Sequence, residues 1–409
     1  MEYVIIGNST AAIAAIEGIR SVTSEGTIHV ISKESEFTYA RPLISYWLQG
    51  KTSLQSMYYR DQDFYTTHGV KLYLGCEAET IDHENKCVKI ENGETVAYDQ
   101  LLVATGSRPF VPPIEGLDTV GKYHTFMSLE DARGLQACLG KNKKVLIIGA
   151  GLIGLKCAEA INEQVQHVTV CDVADRILSS ILEKEAADQV QGHIEAQGVT
   201  FELSHGVHKI ERNKATLTNG KVIPFDELVV AVGVRPNVEM LKEIEAKVSR
   251  GICIDAKCET SIKGIYAAGD CVESYDITKN QNCILALLPN AYFQGECAGI
   301  NMAGGSQTYE KAMPLNAIGF FGLHMVTAGS YEGETAVMTQ GEDYKKLYYK
   351  DDQLKGMVMI GDVKRSGIYT YLIREQIKLS EVDFETIKAS PQLIGFSKSY
   401  RERVLGGKL

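Results

Sequence analysis

The chain has 409 residues, 44% of them hydrophobic and 23% charged, with a formal net charge of −10. That length exceeds one ordinary core and calls for two or three domains of a globular protein. The acidic balance excludes general nucleic-acid binding, no apolar run reaches the length of a membrane span, and ten cysteines without a C-x-x-C pair signal no metal or iron–sulfur site.

In chain order, Tyr3-Val-Ile-Ile-Gly7 predicts a strand entering a glycine turn, with Ser9 and Ala12 at the later positions of a G-x-G-x-x-G pattern. The helix behind it runs to about Arg20, and Thr27 to Ser32 reads as the next strand. Glu34 is the candidate acid for a ribose there, with Ser32 the rival for that position. Nothing before Tyr3 resembles a signal peptide, and a reduced, cytoplasmic protein is expected.

Leu101-Leu-Val-Ala-Thr-Gly106-Ser-Arg-Pro109 closely resembles Leu228-Val-Val-Ala-Val-Gly233-Val-Arg-Pro236. Between them, Pro109 to Gly116 reads as a crossover between domains. Val145-Leu-Ile-Ile-Gly149-Ala-Gly151-Leu-Ile153-Gly154 then gives a fuller copy of the first turn. One glycine allows the bend, one admits a pyrophosphate, and one lets helix and strand pack closely. The phosphates would sit at a helix N-terminus, where free N–H groups and the helix dipole favour negative charge. His167 to Asp172 is the following strand, and Asp172 lies 23 positions after Gly149. An acid there binds ribose hydroxyls and repels a 2′-phosphate, which selects NAD over NADP.

Two related modules in tandem imply two dinucleotide sites in one chain, and therefore electron transfer between them. The chain returns through Gly264-Ile-Tyr-Ala-Ala-Gly269-Asp270, and Leu288-Pro289-Asn290 opens a helix to about Met302. Gly304-Gly305-Ser306 reads as a linker. Beyond Tyr309 comes an α+β appendage with strands at Lys345–Tyr349 and Leu354–Ile360 and a helix at Gly367–Glu375. Lys364-Arg365 and Arg401 with Arg403 read first as solvated surface, and as candidate contacts for an acidic carrier second.

With its tandem turns, the A-T-G at 104–106 and the G-D at 269–270, the chain resembles the pyridine-nucleotide–FAD oxidoreductases over almost its full length. Within them it is most similar to NADH:rubredoxin reductases, ferredoxin reductases and the flavin part of nitrite reductase large subunits. The resemblance implies an α/β chain with two Rossmann-like domains and a small C-terminal α+β domain. A discontinuous FAD domain would span 1–110 and 238–308, an inserted NAD domain 111–237, and the C-terminal domain 309–409.

By the same resemblance Gly7, Ser9 and Ala12 face the FAD pyrophosphate, Glu34 its ribose, and Arg41-Pro42 the isoalloxazine. Ala104, Thr105 and Gly106 would close that pocket, and Gly269-Asp270 would receive the ribityl chain. The helix opened by Pro289-Asn290 would aim its N-terminus at the flavin pyrimidine. Gly149, Gly151, Ile153, Gly154, Asp172 and Gly233 would hold NADH.

Departures from the family pattern narrow the chemistry. Disulfide-reducing relatives carry a cysteine pair on the helix facing the flavin, and peroxide-reducing and water-forming relatives carry a single redox cysteine nearby. Residues 41–48, Arg-Pro-Leu-Ile-Ser-Tyr-Trp-Leu, contain none. The C-terminal segment also lacks a His-x-x-x-x-Glu acid–base pair. Lys156 replaces the glutamate usual in G-x-G-x-x-G-x-E. It is either a tentative catalytic group near the flavin–nicotinamide junction or a solvated or salt-bridged lysine without catalytic effect.

The resulting expectation is an FAD-dependent NADH oxidoreductase that passes electrons directly to rubredoxin, ferredoxin or an iron–sulfur subunit. The alternatives are a peroxide-forming NADH oxidase and an FAD/NAD-binding regulatory or scaffold subunit. An oligomer or a larger complex stays open in every case.

Overall fold

The computed structural model describes residues 1–405. It opens with β1 (Glu2–Ile6), whose residues Tyr3 to Ile6 are all buried, as suits a strand covered on both faces. Then come α1 (Thr10–Val22), β2 (Thr27–Ser32), α2 (Ile44–Leu48), β3 (Val70–Leu74), β4 (Gln100–Val103) and the short β5 (Ser107–Pro109). A second series follows: α3 (Leu129–Gln136), β6 (Lys144–Ile148), α4 (Leu152–Ile161), β7 (His167–Cys171), β8 (Thr200–Glu202), β9 (Glu227–Val230) and β10 (Val234–Pro236). The chain then returns through β11 (Ile265–Ala267) and α5 (Leu288–Met302).

These strands make two parallel sheets. The first has the order β11-β4-β1-β2-β3, the second β8-β7-β6-β9. In both, the strand that feeds a glycine turn lies between neighbours reached in opposite directions. That is the switch point where an open α/β sheet leaves a crevice at its strand ends. The first sheet recruits β11 only after the whole second sheet has been built, which makes its module discontinuous. Between the sheets, β5 and β10 pair antiparallel, with Arg108 opposite Arg235. The two copies of the repeated segment are thus hydrogen-bonded to each other.

Helices α1 and α5 pack at backbone distance. A Cβ on Gly295 would meet the Ala11 carbonyl oxygen at 2.1 Å, and one on Gly299 the Ala15 oxygen at 2.2 Å. Glycine is required at both positions because only its missing side chain admits this approach. The Gly304–Ser306 stretch, expected as a linker, is tied down instead. Asn301 Nδ2 donates to the Gln307 carbonyl (2.8 Å), Gln307 N–H donates to Asn301 Oδ1 (3.0 Å), and Tyr309 N–H donates to the Ala256 carbonyl (2.8 Å).

By compactness the chain divides into two units: residues 1–179, 195–274 and 282–310, and residues 180–194, 275–281 and 311–409. The first carries both parallel sheets. The second is built on an antiparallel sheet of β12 (Leu315–Phe320), β13 (Leu323–Gly329), β14 (Glu334–Gln340), β15 (Asp343–Lys350) and β16 (Gln353–Ile360), in the order β12-β13-β16-β15-β14. Helix α6 (Ser366–Arg374) packs Tyr369, Leu372 and Ile373 into its core with Leu347 and Met357. Residues 180–194 belong here rather than with the second sheet. Glu183 receives a hydrogen bond from the Tyr348 hydroxyl (2.8 Å) and pairs with Lys346. No helix among the described residues is long and apolar enough to cross a membrane.

Candidate active site

The two glycine turns share a backbone hydrogen bond and a close backbone approach. Gly7 N–H donates to the Ile31 carbonyl, and Gly149 N–H to the Cys171 carbonyl, each at 2.8 Å. A Cβ on Gly7 would meet the Ala104 oxygen at 2.1 Å, and one on Gly149 the Ala231 oxygen at 2.3 Å. Each first glycine therefore abuts the A-T-G or A-V-G segment of its own module. Both glycines hold a positive φ, 109° and 114°. Gly154 adds a third close approach, 2.0 Å from its Cβ position to the Gly149 oxygen, while Ala12 is fully buried at the matching place.

Each turn delivers a helix start. Neither Ser9 before α1 nor Gly151 before α4 caps its helix with a side chain, and Leu287 before α5 does not either. Pro289 sits in the first turn of α5, where its fixed φ suits a helix and its missing N–H costs nothing. These termini are the polarity a pyrophosphate or an anionic ring requires.

The repeat resolves one ambiguity of position. Since Ile31 corresponds to Cys171, Ser32 stands where Asp172 does, and Glu34 lies two residues further. The Asp172 carboxylate takes hydrogen bonds from Ala150 N–H (2.7 Å) and Ala174 N–H (2.9 Å), so it braces the second turn while each oxygen keeps a free acceptor site. Ser32 hydroxyl turns back to the Glu34 carbonyl (3.0 Å). The Glu34 carboxylate is engaged by the Tyr39 hydroxyl (2.6 Å) and by the Arg41 guanidinium. Arg41 also donates to the Met127 carbonyl (3.3 Å) and, with Pro42, opens the turn into α2.

Asp270 follows Gly269 at the end of β11. Burial pushes its carboxyl above the ordinary aspartate range, against the pull of Arg41 and a 3.5 Å bond from the Ser107 hydroxyl. Gly269 N–H donates to Gln294 Oε1 (2.9 Å), which ties this loop to α5. Two of the expected residues also bond to protein. The Thr105 hydroxyl donates to the Asn237 carbonyl (2.8 Å), and Asn290 Oδ1 accepts from the Tyr309 hydroxyl (2.9 Å).

Lys156 has its partner on its own helix. It pairs with Glu159, one helical turn away, and its ammonium lies 4.8 Å from the centre of the Tyr46 ring on α2. The two charged side chains are only 13% and 9% exposed. The i,i+3 spacing was readable in the sequence; the Tyr46 contact across helices was not.

The residues fit the two cofactors. Asn8 holds its Oδ1 against the Thr38 and Tyr65 hydroxyls (2.8 Å each), leaving a buried Nδ2 with no hydrogen-bond partner among the described residues. Positions Gly106, Gly151 and Gly233 each face open space, with no heavy atom within 4 Å of an added Cβ. Unused donors at the turns, cleared backbone beside them and a desolvated acceptor at Asp270 suit a dinucleotide in each module.

The thiols beside Lys156 and Asp270 are buried. Cys157, adjacent to Lys156, is fully buried and its pKa is raised by desolvation alone. Cys271, adjacent to Asp270, is pushed up to about 11 by burial. Both stay protonated at neutral pH, and a thiol is a poor nucleophile.

Residues 1–295 match the pyridine nucleotide-disulphide oxidoreductase family, and the chain belongs to that family. It is an NADH-dependent flavoprotein oxidoreductase that uses FAD and NAD(H). It is 30% identical over 407 residues to the NADH-dependent phenylglyoxylate dehydrogenase subunit epsilon of Aromatoleum evansii, covering 96% of each chain. It is 31% identical over 373 residues to the assimilatory nitrate reductase electron transfer subunit of Bacillus subtilis, covering 88% of this chain but 48% of that protein, about half its length. The crystal structure of a covalent putidaredoxin reductase–putidaredoxin complex shares the fold, with a TM-score of 0.86 at 22% identity over 99% of this chain and 98% of that one.

Proposed function

We propose that residues 1–110 with 238–308 hold FAD, that 111–237 hold NADH, and that electrons leave the flavin directly for a one-electron protein carrier. Rubredoxin, ferredoxin and an iron–sulfur subunit of a larger assembly are the carriers of that class. Bound FAD supplies hydride acceptance from nicotinamide and release of electrons one at a time. The chain's own part is positional. The glycine turns fix both pyrophosphates, Asp172 receives the NADH ribose and disfavours a 2′-phosphate, and Asp270 receives the ribityl chain. The N-terminus of α5 favours negative charge on the reduced ring.

The observation that carries this reading is the state of the cysteines. Residues 41–48 offer none, and Cys157 and Cys271 are buried as thiols. A thiolate relay of the family kind, from the helix that opens at Arg41-Pro42, has no cysteine there to use. Iodoacetamide treatment of the native holoprotein tests it, with NADH-driven reduction of a one-electron acceptor as the readout. Activity within about twofold of the untreated enzyme is expected, since a buried thiol reacts slowly; loss in step with alkylation would point to a reactive thiolate instead.

The dehydrogenase and nitrate reductase relatives are named as subunits, which favours service within a larger redox complex over a free-standing oxidase. Ten cysteines with no disulfide among the described residues suit a reducing compartment such as the cytoplasm.

A further inference from the structure

We propose that His124, Cys138 and Glu227 form a binding site for a zinc-class divalent cation beside β9. One donor atom from each, a ring nitrogen, Sγ and a carboxylate oxygen, lies within 4.8 Å of the other two. No sequence spacing announces this set, because its members come from three separate segments. His124 is fixed by backbone pairing on β9: its N–H donates to the Leu228 carbonyl and its carbonyl accepts from Val230 N–H, each at 2.8 Å. Cys138 follows the end of α3, and Glu227 begins β9.

The second observation is the state of the imidazole. The His124 side chain is 2% exposed, yet its Nε2 has no hydrogen-bond partner among the described residues. A buried ring nitrogen left without a partner is costly. The nearest carboxylate atom, Glu227 Oε2, is 3.6 Å away, too far for a hydrogen bond. It is the right separation for two ligands of one ion: Zn–N and Zn–O bonds of about 2.0–2.2 Å in tetrahedral geometry put N and O about 3.3–3.6 Å apart. The sulfur must close in slightly, which the half-buried Cys138 at a helix end permits.

Lys143 pairs with the other Glu227 oxygen, Oε1, at 3.0 Å. It therefore leaves Oε2 for the ion and orients the carboxylate from behind, as outer-shell groups do in metal sites. Lys122, Asp131 and Asp226 complete the charged surroundings of His124 and Lys143. A mixed nitrogen, sulfur and oxygen set suits Zn²⁺ or Co²⁺ and not the oxygen-seeking Mg²⁺ or Ca²⁺. Three protein ligands leave the fourth position to water. The ion would clip the His124 segment and the end of α3 to the edge strand β9.

Chelator-treated holoprotein, dialysed against Zn²⁺ and analysed for metal per chain, tests the proposal, with Co²⁺ as a spectroscopic substitute. The expected result is one tightly held equivalent, with affinity at least tenfold weaker in Cys138→Ser, Glu227→Gln and His124→Ala. Tetrahedral Co²⁺ bands to the red of the flavin should appear in the parent and vanish in Cys138→Ser. Should His124→Ala fail to fold, the two substitutions at half-buried positions still decide. A parent that binds no stoichiometric ion, or variants that bind as the parent does, would overturn the site.

Discussion

Asp270 is where charge, burial and ligand meet in one side chain. Its carboxyl is raised by desolvation, so the folded apoprotein binds this proton more tightly than the unfolded chain does. The sign follows: the group's contribution to stability is fully present below the unfolded aspartate value and is lost as pH rises through the folded one. Asp270→Asn should therefore make the apoprotein more stable at neutral pH and flatten its dependence between acid and neutral conditions. The same change should weaken FAD retention about tenfold or more, since a hydrogen bond to a charged group contributes about 1.5–3 kcal/mol. Urea unfolding of apoprotein across pH, beside FAD titration, checks both signs. Lys156 makes the contrasting case. Paired with Glu159 and set against Tyr46, it braces α4 against α2. Lys156→Met should cost about 2–3 kcal/mol by removing the cation beside a nine-tenths-buried carboxylate. Lys156→Met with Glu159→Gln should recover most of that, and a double-mutant cycle in urea measures the coupling. Spacing alone left Ser32 and Glu34 both open, because the stretch from the first glycine to the equivalent residue of the next strand is two residues longer in the first module (Gly7 to Ile31) than in the second (Gly149 to Cys171).

At the scale of elements, the glycine turns were legible because each glycine answers a local backbone demand, a positive φ or a carbonyl at contact distance. The glycines of α5 answer a demand set by another helix more than 250 residues away in sequence, so nothing local marked them. Gly299→Ala would drive a methyl group against the Ala15 carbonyl at 2.2 Å. We expect it to destabilise the first unit by about 1–3 kcal/mol and to lower FAD retention, because α5 and α1 carry two of the uncapped termini. Thermal unfolding and flavin content of the purified variant would show it. Strands β12, β13 and β14 escaped the sequence reading for a related reason. The edge strand β14, Glu334–Gln340, is largely exposed and polar, with no buried alternation to mark it. Its neighbours β15 and β16 carry the apolar residues that were recognised, Leu347 and Met357 among them.

At the scale of the molecule, the tandem repeat was the most informative feature of the sequence. It gave two parallel sheets with matching turns, and the structure adds that the repeated R-P segments pair with each other as β5 and β10. The candidate site was legible wherever it depends on backbone: Gly7, Gly149 and Gly154 all lie at close-packed turns. It was least legible where side chains choose partners, as Thr105 does with Asn237 and Asn290 with Tyr309. The central claim is that NADH reduces a flavin held by this chain without help from a thiol. Anaerobic titration of the purified holoprotein with NADH, following flavin absorbance with NADPH in parallel, tests it most directly. The account predicts full bleaching by about one equivalent of NADH, with NADPH at least tenfold less effective because Asp172 disfavours the extra phosphate. A flavin that stays oxidised with NADH, or that bleaches equally well with NADPH, would contradict it.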